Sequence, residues 1–206
     1  MPDLIFYTNP MSRGRTVRWM LEEIGESYES VILAYGGEMK SPDYLSINPM
    51  GKVPALKHGN AVITETPAII AYLADTFPEK GLGPKTHERA AYYRWMFFAA
   101  GPLEQALFVN SLGVELAEGK KTMAGFGDYK RTLDTLEAAV TASDYITGDR
   151  FTAVDLYVAA HISAGVFMKT LEKRPALIEF SKRMNERPAA LRAAEIDNAL
   201  LGKQSS

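Results

Sequence analysis

The hydrophobic pattern changes character near residue 80, and this change restricts the possible folds more than any other feature. Before it, short strand-like apolar runs alternate with segments of helical spacing; after it, only the helical period continues. The segment between, from Glu79 to Pro84, is rich in glycine and proline, as linkers are. We therefore predict two domains, residues 1–79 and 86–206, joined by a linker at residues 80–85.

The first domain is predicted to be an α/β unit. Its signals follow the order βαβαββα: a strand at 3–7, a helix at 12–25, a strand at 29–34, an irregular helix at 40–48, strands at 53–57 and 61–64, and a helix opening at Thr66-Pro67. Thr66 is the expected N-cap, with Pro67 in the first turn. The second domain is predicted to be all-helical, with helices near 86–109, 124–143, 152–168, 174–186 and 188–200. Gly101-Pro102 should kink the first of these.

Composition excludes several classes of function. The chain has no cysteine, so it has no disulfide, no thiolate metal site and no redox-active protein thiol. A net charge of -2 gives no basic field for nucleic acid. No apolar run approaches the roughly 20 residues that span a bilayer, and residues 1–30 lack a secretory pattern. We therefore expect a cytoplasmic protein with no metal, membrane or nucleic-acid partner.

The turn between the first strand and the first helix is a candidate thiol site. It contains Tyr7 and Ser12, and it presents backbone N–H groups at a helix N-terminus, which favours anions. A free thiol has a pKa of about 8.5, and lowering it by about two units takes roughly 2.7 kcal/mol. One hydroxyl donor and the helix end can supply most of this. An isolated serine at this position is more often simply a helix cap.

Three further features suit a peptide ligand. Pro54 stands at the start of an apolar strand, so it marks either an edge strand or a cis-proline turn. A cis-proline turn would leave the backbone N–H and C=O of Val53 free to pair with an extended peptide. Glu65 and Thr66 at a helix mouth can grip an amino-acid head group. Lys40 and Lys52 can neutralise a carboxylate. Each feature alone has a purely structural explanation.

In combination these segments resemble the soluble glutathione S-transferase family. The resemblance is carried by residues 12–25 (SRGRTVRWMLEEIG), 48–56 (NPMGKVPAL) and 63–73 (ITETPAIIAYL), and it extends to Thr147–Asp155 (TGDRFTAVD). It implies a thioredoxin-like first domain and an all-helical second domain. Thr152 and Asp155 match the capping box of a buried helix, a folding role.

The resemblance also implies individual roles. Ser12 corresponds to the serine that hydrogen-bonds the glutathione sulfur in serine-type members, and Tyr7 is the alternative activator. The remaining contacts are assigned to the cysteinyl backbone (Val53, Pro54), the γ-glutamyl group (Glu65, Thr66) and the glycyl end (Lys40, Lys52). Met11, Tyr93 and Phe97 are candidates for an apolar substrate wall, although aromatic residues on a helix are more often packing residues.

The implied activity is conjugation of glutathione, as co-substrate, to small hydrophobic electrophiles. The resemblance also implies that the protein acts in detoxification and forms a homodimer. Without cysteine, a mixed-disulfide mechanism through a protein thiol is excluded. The Ser-Ser-Cys signature of the maleylacetoacetate isomerase relatives is also missing. The alternatives are a non-catalytic ligand-binding or protein-interaction member, and a glutathione-dependent peroxidase or dehalogenase.

Overall fold

The computed structural model describes residues 3–204. Its strands are β1 (Leu4–Thr8), β2 (Tyr28–Ile32), β3 (Ala55–His58) and β4 (Ala61–Thr64). Its helices are α1 (Gly14–Ile24), α2 (Pro42–Ile47), α3 (Thr66–Thr76), α4 (Arg89–Phe98), α5 (Glu104–Ser111), α6 (Glu118–Lys121), α7 (Tyr129–Thr141), α8 (Ala153–Phe167), α9 (Pro175–Asn185) and α10 (Pro188–Gln204). Short 3-10 turns lie at Glu38–Lys40 and Pro78–Lys80.

Two compact units make up the described chain. The first contains the residues up to Gly81 together with those from Arg187 onward, and the second is Leu82–Glu186. The units differ from the predicted domains at one end, because α10 packs against α1 in the first unit. Helical periodicity placed α10 with the other helices, but periodicity does not reveal which surface an apolar face will cover.

The first unit is built on a four-stranded sheet in the order β2-β1-β3-β4. β1 runs parallel to β2, whereas β3 is antiparallel to both β1 and β4. Phe6 of β1 and Leu56 of β3 are fully buried, and α1 and α3 pack together in the same unit. The predicted βαβαββα order is confirmed, and so is the hairpin between β3 and β4.

The sequence of α1 explains where this helix lies and where it ends. Val17, Met20, Leu21 and Ile24 follow the spacing of one helical face, and all four are buried. Gly25 ends the helix in the left-handed conformation, with φ of 72°, and its N–H donates to the carbonyl of Leu21. The helix begins at Gly14 rather than at Ser12, because the preceding residues form a separate turn.

The second unit is helical throughout its regular structure, as predicted. Pro102 lacks an N–H group, and the chain passes from α4 to α5 through a wider π-helical turn over Ala99–Leu103. α8 carries apolar residues on all sides and is buried along most of its length, as expected of a central helix. Among the helices of residues 3–204, none combines the length and apolar character needed to cross a membrane.

A capping box starts α8 at the predicted pair of residues. The buried carboxylate of Asp155 accepts the N–H of Thr152 at 2.8 Å and the hydroxyl of Thr152 at 2.8 Å. Its other oxygen accepts the N–H of Ile146 at 2.7 Å. One carboxylate therefore satisfies the helix end and fastens the preceding loop to it.

We expect Asp155→Ala to lower the free energy of unfolding by about 3 kcal/mol, because two buried N–H groups lose their acceptor. Thermal or urea unfolding measures this loss. Asp149→Ala, at an exposed position in the same loop, is the control and should change stability by less than about 0.5 kcal/mol. Equal stabilities of the two variants would contradict a structural role for the Asp155 carboxylate.

Candidate functional site

The strand register gathers the predicted first-unit site segments at one edge of the sheet. Tyr7, near the end of β1, pairs with Ala55, the first residue of β3, and Ala55 pairs with Thr64, the last residue of β4. The turn after β1, the segment before β3 and the start of α3 therefore leave the sheet at the same edge. β2 ends there too, since Thr8 pairs with Ile32.

Ser12 lies in the turn between β1 and α1 and is partly exposed. Its hydroxyl donates to the carbonyl of Asn9 at 2.7 Å and accepts the N–H of Gly14 at 2.9 Å. Its own N–H also donates to the carbonyl of Asn9, at 3.0 Å. The Ser12 hydroxyl thus accepts the N–H of the first residue of α1, one residue before the N-cap position of Arg13, and stands beside the positive end of that helix.

Asn9 organises this turn, a role that was not predicted from the sequence. Its side-chain amide donates to the carbonyl of Leu33 at 2.8 Å, and its side-chain oxygen accepts the N–H of Met11 at 2.9 Å. Because Asn9 is buried, these bonds connect the ends of β1 and β2 in a protected environment. The Asn9-Pro10 pair directly after a strand was the available signal, since this pair favours turns.

Gly14 permits the close approach of α1 to the end of β1. A Cβ atom at this position would lie 1.9 Å from Oγ1 of Thr8 and 2.9 Å from Oγ of Ser12. Thr8 and Gly14 are both buried, so a methyl group on residue 14 would force a shift inside the packed unit. Only glycine keeps the Ser12 hydroxyl in this position relative to the helix end.

Tyr7 alternates with Phe6 along β1 and therefore projects from the opposite face of the sheet. It packs against the buried cluster of Leu33, Met39, Tyr44 and Ala55. Its ring lies 5.7 Å from that of Tyr44, measured between centroids. These contacts give Tyr7 a packing role that does not depend on any ligand.

The segment before β3 is held in place by its neighbours. The carbonyl of Lys52 accepts the hydroxyl of Tyr44 at 2.6 Å and the side-chain amide of Asn48 at 2.7 Å. Burial raises the pKa of Tyr44 to about 12, so this phenol stays a donor at neutral pH. The Val53–Pro54 peptide bond is cis. Within residues 3–204, no protein group hydrogen-bonds to the backbone N–H or C=O of Val53.

The two candidate lysines differ in their surroundings. The ammonium of Lys40 donates to the carbonyls of Met50 at 3.2 Å and Gly51 at 2.9 Å. Gly51 has φ of 57°, and a Cβ there would lie 2.7 Å from the Lys40 nitrogen. Lys40 is therefore built into the loop that precedes Lys52, whereas the Lys52 side chain is exposed.

Glu65 occupies the N-cap position of α3, where Thr66 was predicted. Thr66 is instead the first helical residue, so this prediction was wrong by one position. Glu65 has φ of 68° and ψ of 120°, a conformation that is unfavourable for a residue with a side chain. Its carboxylate is exposed, and no described protein group hydrogen-bonds to it. Strained residues of this kind are concentrated at ligand clamps.

The predicted wall residues are exposed within their own units. In the first unit, Met11 is 62% exposed and its carbonyl accepts the hydroxyl of Tyr35 at 3.1 Å. In the second unit, Tyr93 and Phe97 are 43% and 69% exposed on α4, while Trp95 between them is buried. Their assignment to a substrate wall stays a prediction.

We expect Gly14→Ala to lower the free energy of unfolding by about 3 kcal/mol, because its methyl group would overlap Thr8. Thr8→Ala in the same chain should recover part of the loss, since it removes the oxygen that is overlapped. Gly119→Ala, where a Cβ has nothing within 4 Å, should change stability by less than about 1 kcal/mol. Urea unfolding measures all three, and a Gly14→Ala protein as stable as the Gly119→Ala protein would contradict the proposed close approach.

Comparison with known proteins identifies the family. Residues 2–75 match the family model of the glutathione S-transferase N-terminal domain, and residues 116–191 match a glutathione S-transferase C-terminal domain. Glutathione S-transferase Z2 of Arabidopsis thaliana is 33% identical over 183 residues, which cover 84% of this chain and 82% of that protein.

Solved structures agree with this match. A glutathione transferase of Phanerochaete chrysosporium, in complex with oxidised glutathione, is 28% identical with a TM-score of 0.77, covering 96% of this chain and 97% of its own. A theta class enzyme of Xanthomonas axonopodis pv. citri, with glutathione bound, is 25% identical with a TM-score of 0.73, covering 94% and 98% of the two chains. The thioredoxin-like and helical domains predicted from the sequence are those of this fold. The chain belongs to the glutathione S-transferase family and is a glutathione transferase.

Proposed function

We propose that this transferase binds glutathione along the sheet edge described above and ionises its thiol beside Ser12. One observation carries the proposal: the strand register brings a helix N-terminus with a hydroxyl, an open backbone segment and a strained acidic helix cap to one edge. These three features match the sulfur, the peptide backbone and the amino-acid head group of one extended tripeptide. Family membership supports this assignment.

The peptide part of glutathione has a complementary surface at each point. The open N–H and C=O of Val53 pair with the cysteinyl residue as an added strand would. Glu65 accepts the γ-glutamyl ammonium, and Thr66 with the α3 N-terminus binds the carboxylate. The exposed ammonium of Lys52 neutralises the glycyl carboxylate, while Lys40 holds the loop that carries Lys52.

Thiol activation requires the Ser12 hydroxyl to change its acceptor. Without ligand its hydrogen is donated to the carbonyl of Asn9, and a hydroxyl has only one hydrogen to give. A hydrogen bond to a thiolate is worth about 1.5–3 kcal/mol, against about 1 kcal/mol for one between neutral groups. The exchange therefore favours the ionised thiol, and the Asn9 carbonyl keeps the N–H of Ser12 as a donor.

The chemical step needs no protein nucleophile. The glutathione thiol releases its proton to solvent, and the thiolate donates an electron pair to an electrophilic carbon. The new carbon–sulfur bond forms as the leaving group departs with its bonding electrons. In an addition to an activated double bond, the π electrons instead move away from the attacked carbon, and the resulting anion takes up a proton from solvent. Preorganised donors at the sulfur stabilise the anion before it reacts.

The second substrate is proposed to be a small hydrophobic electrophile. The exposed thioether of Met11, next to Ser12, is the apolar group nearest along the chain to the proposed sulfur position. We further propose that the protein is a cytoplasmic detoxification enzyme and acts as a homodimer. Family membership supports each of these assignments, and light scattering in solution tests the dimer.

The activating residue is tested by comparing Ser12→Ala with Tyr7→Phe. Ser12→Ala should lower kcat about 10- to 100-fold, because the thiolate loses a charge-assisted hydrogen bond. Its glutathione affinity should change little, and the apparent pKa in its pH–rate profile should rise toward the free thiol value of about 8.5. Tyr7→Phe should change kcat less than about 3-fold, since Tyr7 acts in packing.

Conjugation of 1-chloro-2,4-dinitrobenzene over a range of pH provides the measurement, with isothermal titration of glutathione for affinity. A hydroperoxide and a haloalkane in the same panel distinguish peroxidase and dehalogenase activity. If Tyr7→Phe carried the large loss and the shifted profile, the activating role would belong to Tyr7.

The strained helix cap provides a second test. Glu65→Gly should raise the free energy of unfolding by about 1 kcal/mol, because glycine adopts a positive φ without strain. It should also weaken glutathione binding at least about 10-fold, since the ammonium partner is lost. Lys169→Gly, at the other described non-glycine residue with positive φ, should raise stability without changing affinity. A Glu65→Gly protein that binds glutathione normally would refute the head-group assignment.

A further inference from the structure

A ladder of polar contacts joins α10 to α1, and it runs antiparallel. Near the end of α1, Glu23 accepts two hydrogen bonds, at 2.7 and 2.9 Å, from Arg187, the residue that precedes α10. Near the middle of α1, Arg18 pairs with Asp197 at 2.8 Å. The later residues of α10 therefore lie beside the first turn of α1, which leads directly from the Ser12 turn.

The Arg18–Asp197 pair fixes the register of the two helices. Both side chains are 1% exposed, and Arg18 also donates to the hydroxyls of Tyr28 and Ser30, each at 3.1 Å. The guanidinium lies 5.2 Å from the centroid of the Phe6 ring. A buried charge with this many partners cannot slide to another register without losing them.

The next residue of α10 reaches the thiol turn through one side chain. The guanidinium of Arg15 donates to the side-chain oxygen of Asn198 at 2.9 Å. Its other amino group approaches the carbonyl of Pro10 at 3.4 Å. Arg15 thus spans from α10 to the turn that holds Ser12, and its charge stands at the end of α1 where an anion is favoured.

We propose that Asn198 is a positioning residue for thiol activation, acting through Arg15 on the Pro10–Ser12 turn. Arginine has a long side chain with many rotamers, and two anchored ends restrict it to one arrangement. Anchored in this way, the guanidinium restrains the Pro10 carbonyl and keeps its positive charge beside the turn. The proposal rests on the proposed role of Ser12, and it assigns part of the thiol site to the last helix.

The test compares Asn198→Ala with four further proteins. Glu195→Ala, an exposed change on the same helix, is the matched control. Asn198→Asp keeps an acceptor oxygen for Arg15 and should retain the wild-type exchange rates of the turn amides, while its negative charge offsets part of the Arg15 charge beside the thiol. Arg15→Ala, alone and combined with Asn198→Ala, shows whether Asn198 acts through Arg15, because the second change should then add nothing.

Two readouts distinguish positioning from general stability. Asn198→Ala should lower kcat about 2- to 5-fold, with glutathione affinity nearly unchanged and the apparent pKa of the pH–rate profile raised by about 0.3–0.7. Hydrogen exchange of the Met11 and Ser12 amides in the glutathione-free protein should become about 2- to 5-fold faster. Glu195→Ala should change neither the pH–rate profile nor the exchange rates of these amides.

Unchanged amide exchange in Asn198→Ala, or a full additional loss in the Arg15→Ala background, would overturn the proposal. A lower melting temperature without a shift in the pH profile would do so as well. The exchange measurement needs no glutathione. If Ser12→Ala left the pH profile of conjugation unchanged, the proposed role of Ser12 would fail while the coupling of Asn198 to the turn could still be demonstrated.

Discussion

The pairing of Tyr7 with Ala55, and of Ala55 with Thr64, is the constraint on which the proposed site depends. It sets the end of β1, the start of β3 and the end of β4 side by side. A slip of one residue in either ladder would turn every side chain of a strand to the other face. Phe6 and Leu56 would then leave the core, so the burial of these residues maintains the alignment of the three segments of the proposed site.

Much of the hydrogen bonding at this edge of the sheet stabilises the turn between β1 and α1 rather than the helices. Asn9 joins the turn to the end of β2, Gly14 permits the close approach of α1, and the Ser12 hydroxyl accepts the first N–H of that helix. The serine hydroxyl therefore has a structural role without ligand, and our proposal gives it a chemical role when glutathione binds. The difference between a neutral and a charged acceptor, on the order of 1 kcal/mol, is enough to favour the second.

The sequence predicted the fold well because apolar periodicity, turn residues and helix stops are local signals. α1 ends at Gly25 and the capping box forms at Thr152 and Asp155, as expected from their spacing. Two features needed the structure. The backbone of Glu65 adopts a positive φ, which is not predicted from the conformational preferences of glutamate. The packing of α10 against α1 includes ion pairs between residues far apart in the chain, such as Arg18 and Asp197. The sequence predicted which segments carry the candidate site residues. Only the structure shows that the Lys40 ammonium is hydrogen-bonded within its loop whereas the Lys52 side chain is exposed.

The central claim is that this protein holds glutathione as a thiolate at neutral pH. Titrating the ultraviolet thiolate absorbance of glutathione bound to the wild-type protein tests it without any second substrate. We expect a midpoint about two pH units below the value of about 8.5 for a free thiol. A midpoint equal to that of free glutathione, with binding demonstrated in the same sample, would contradict thiol activation at the Ser12 turn.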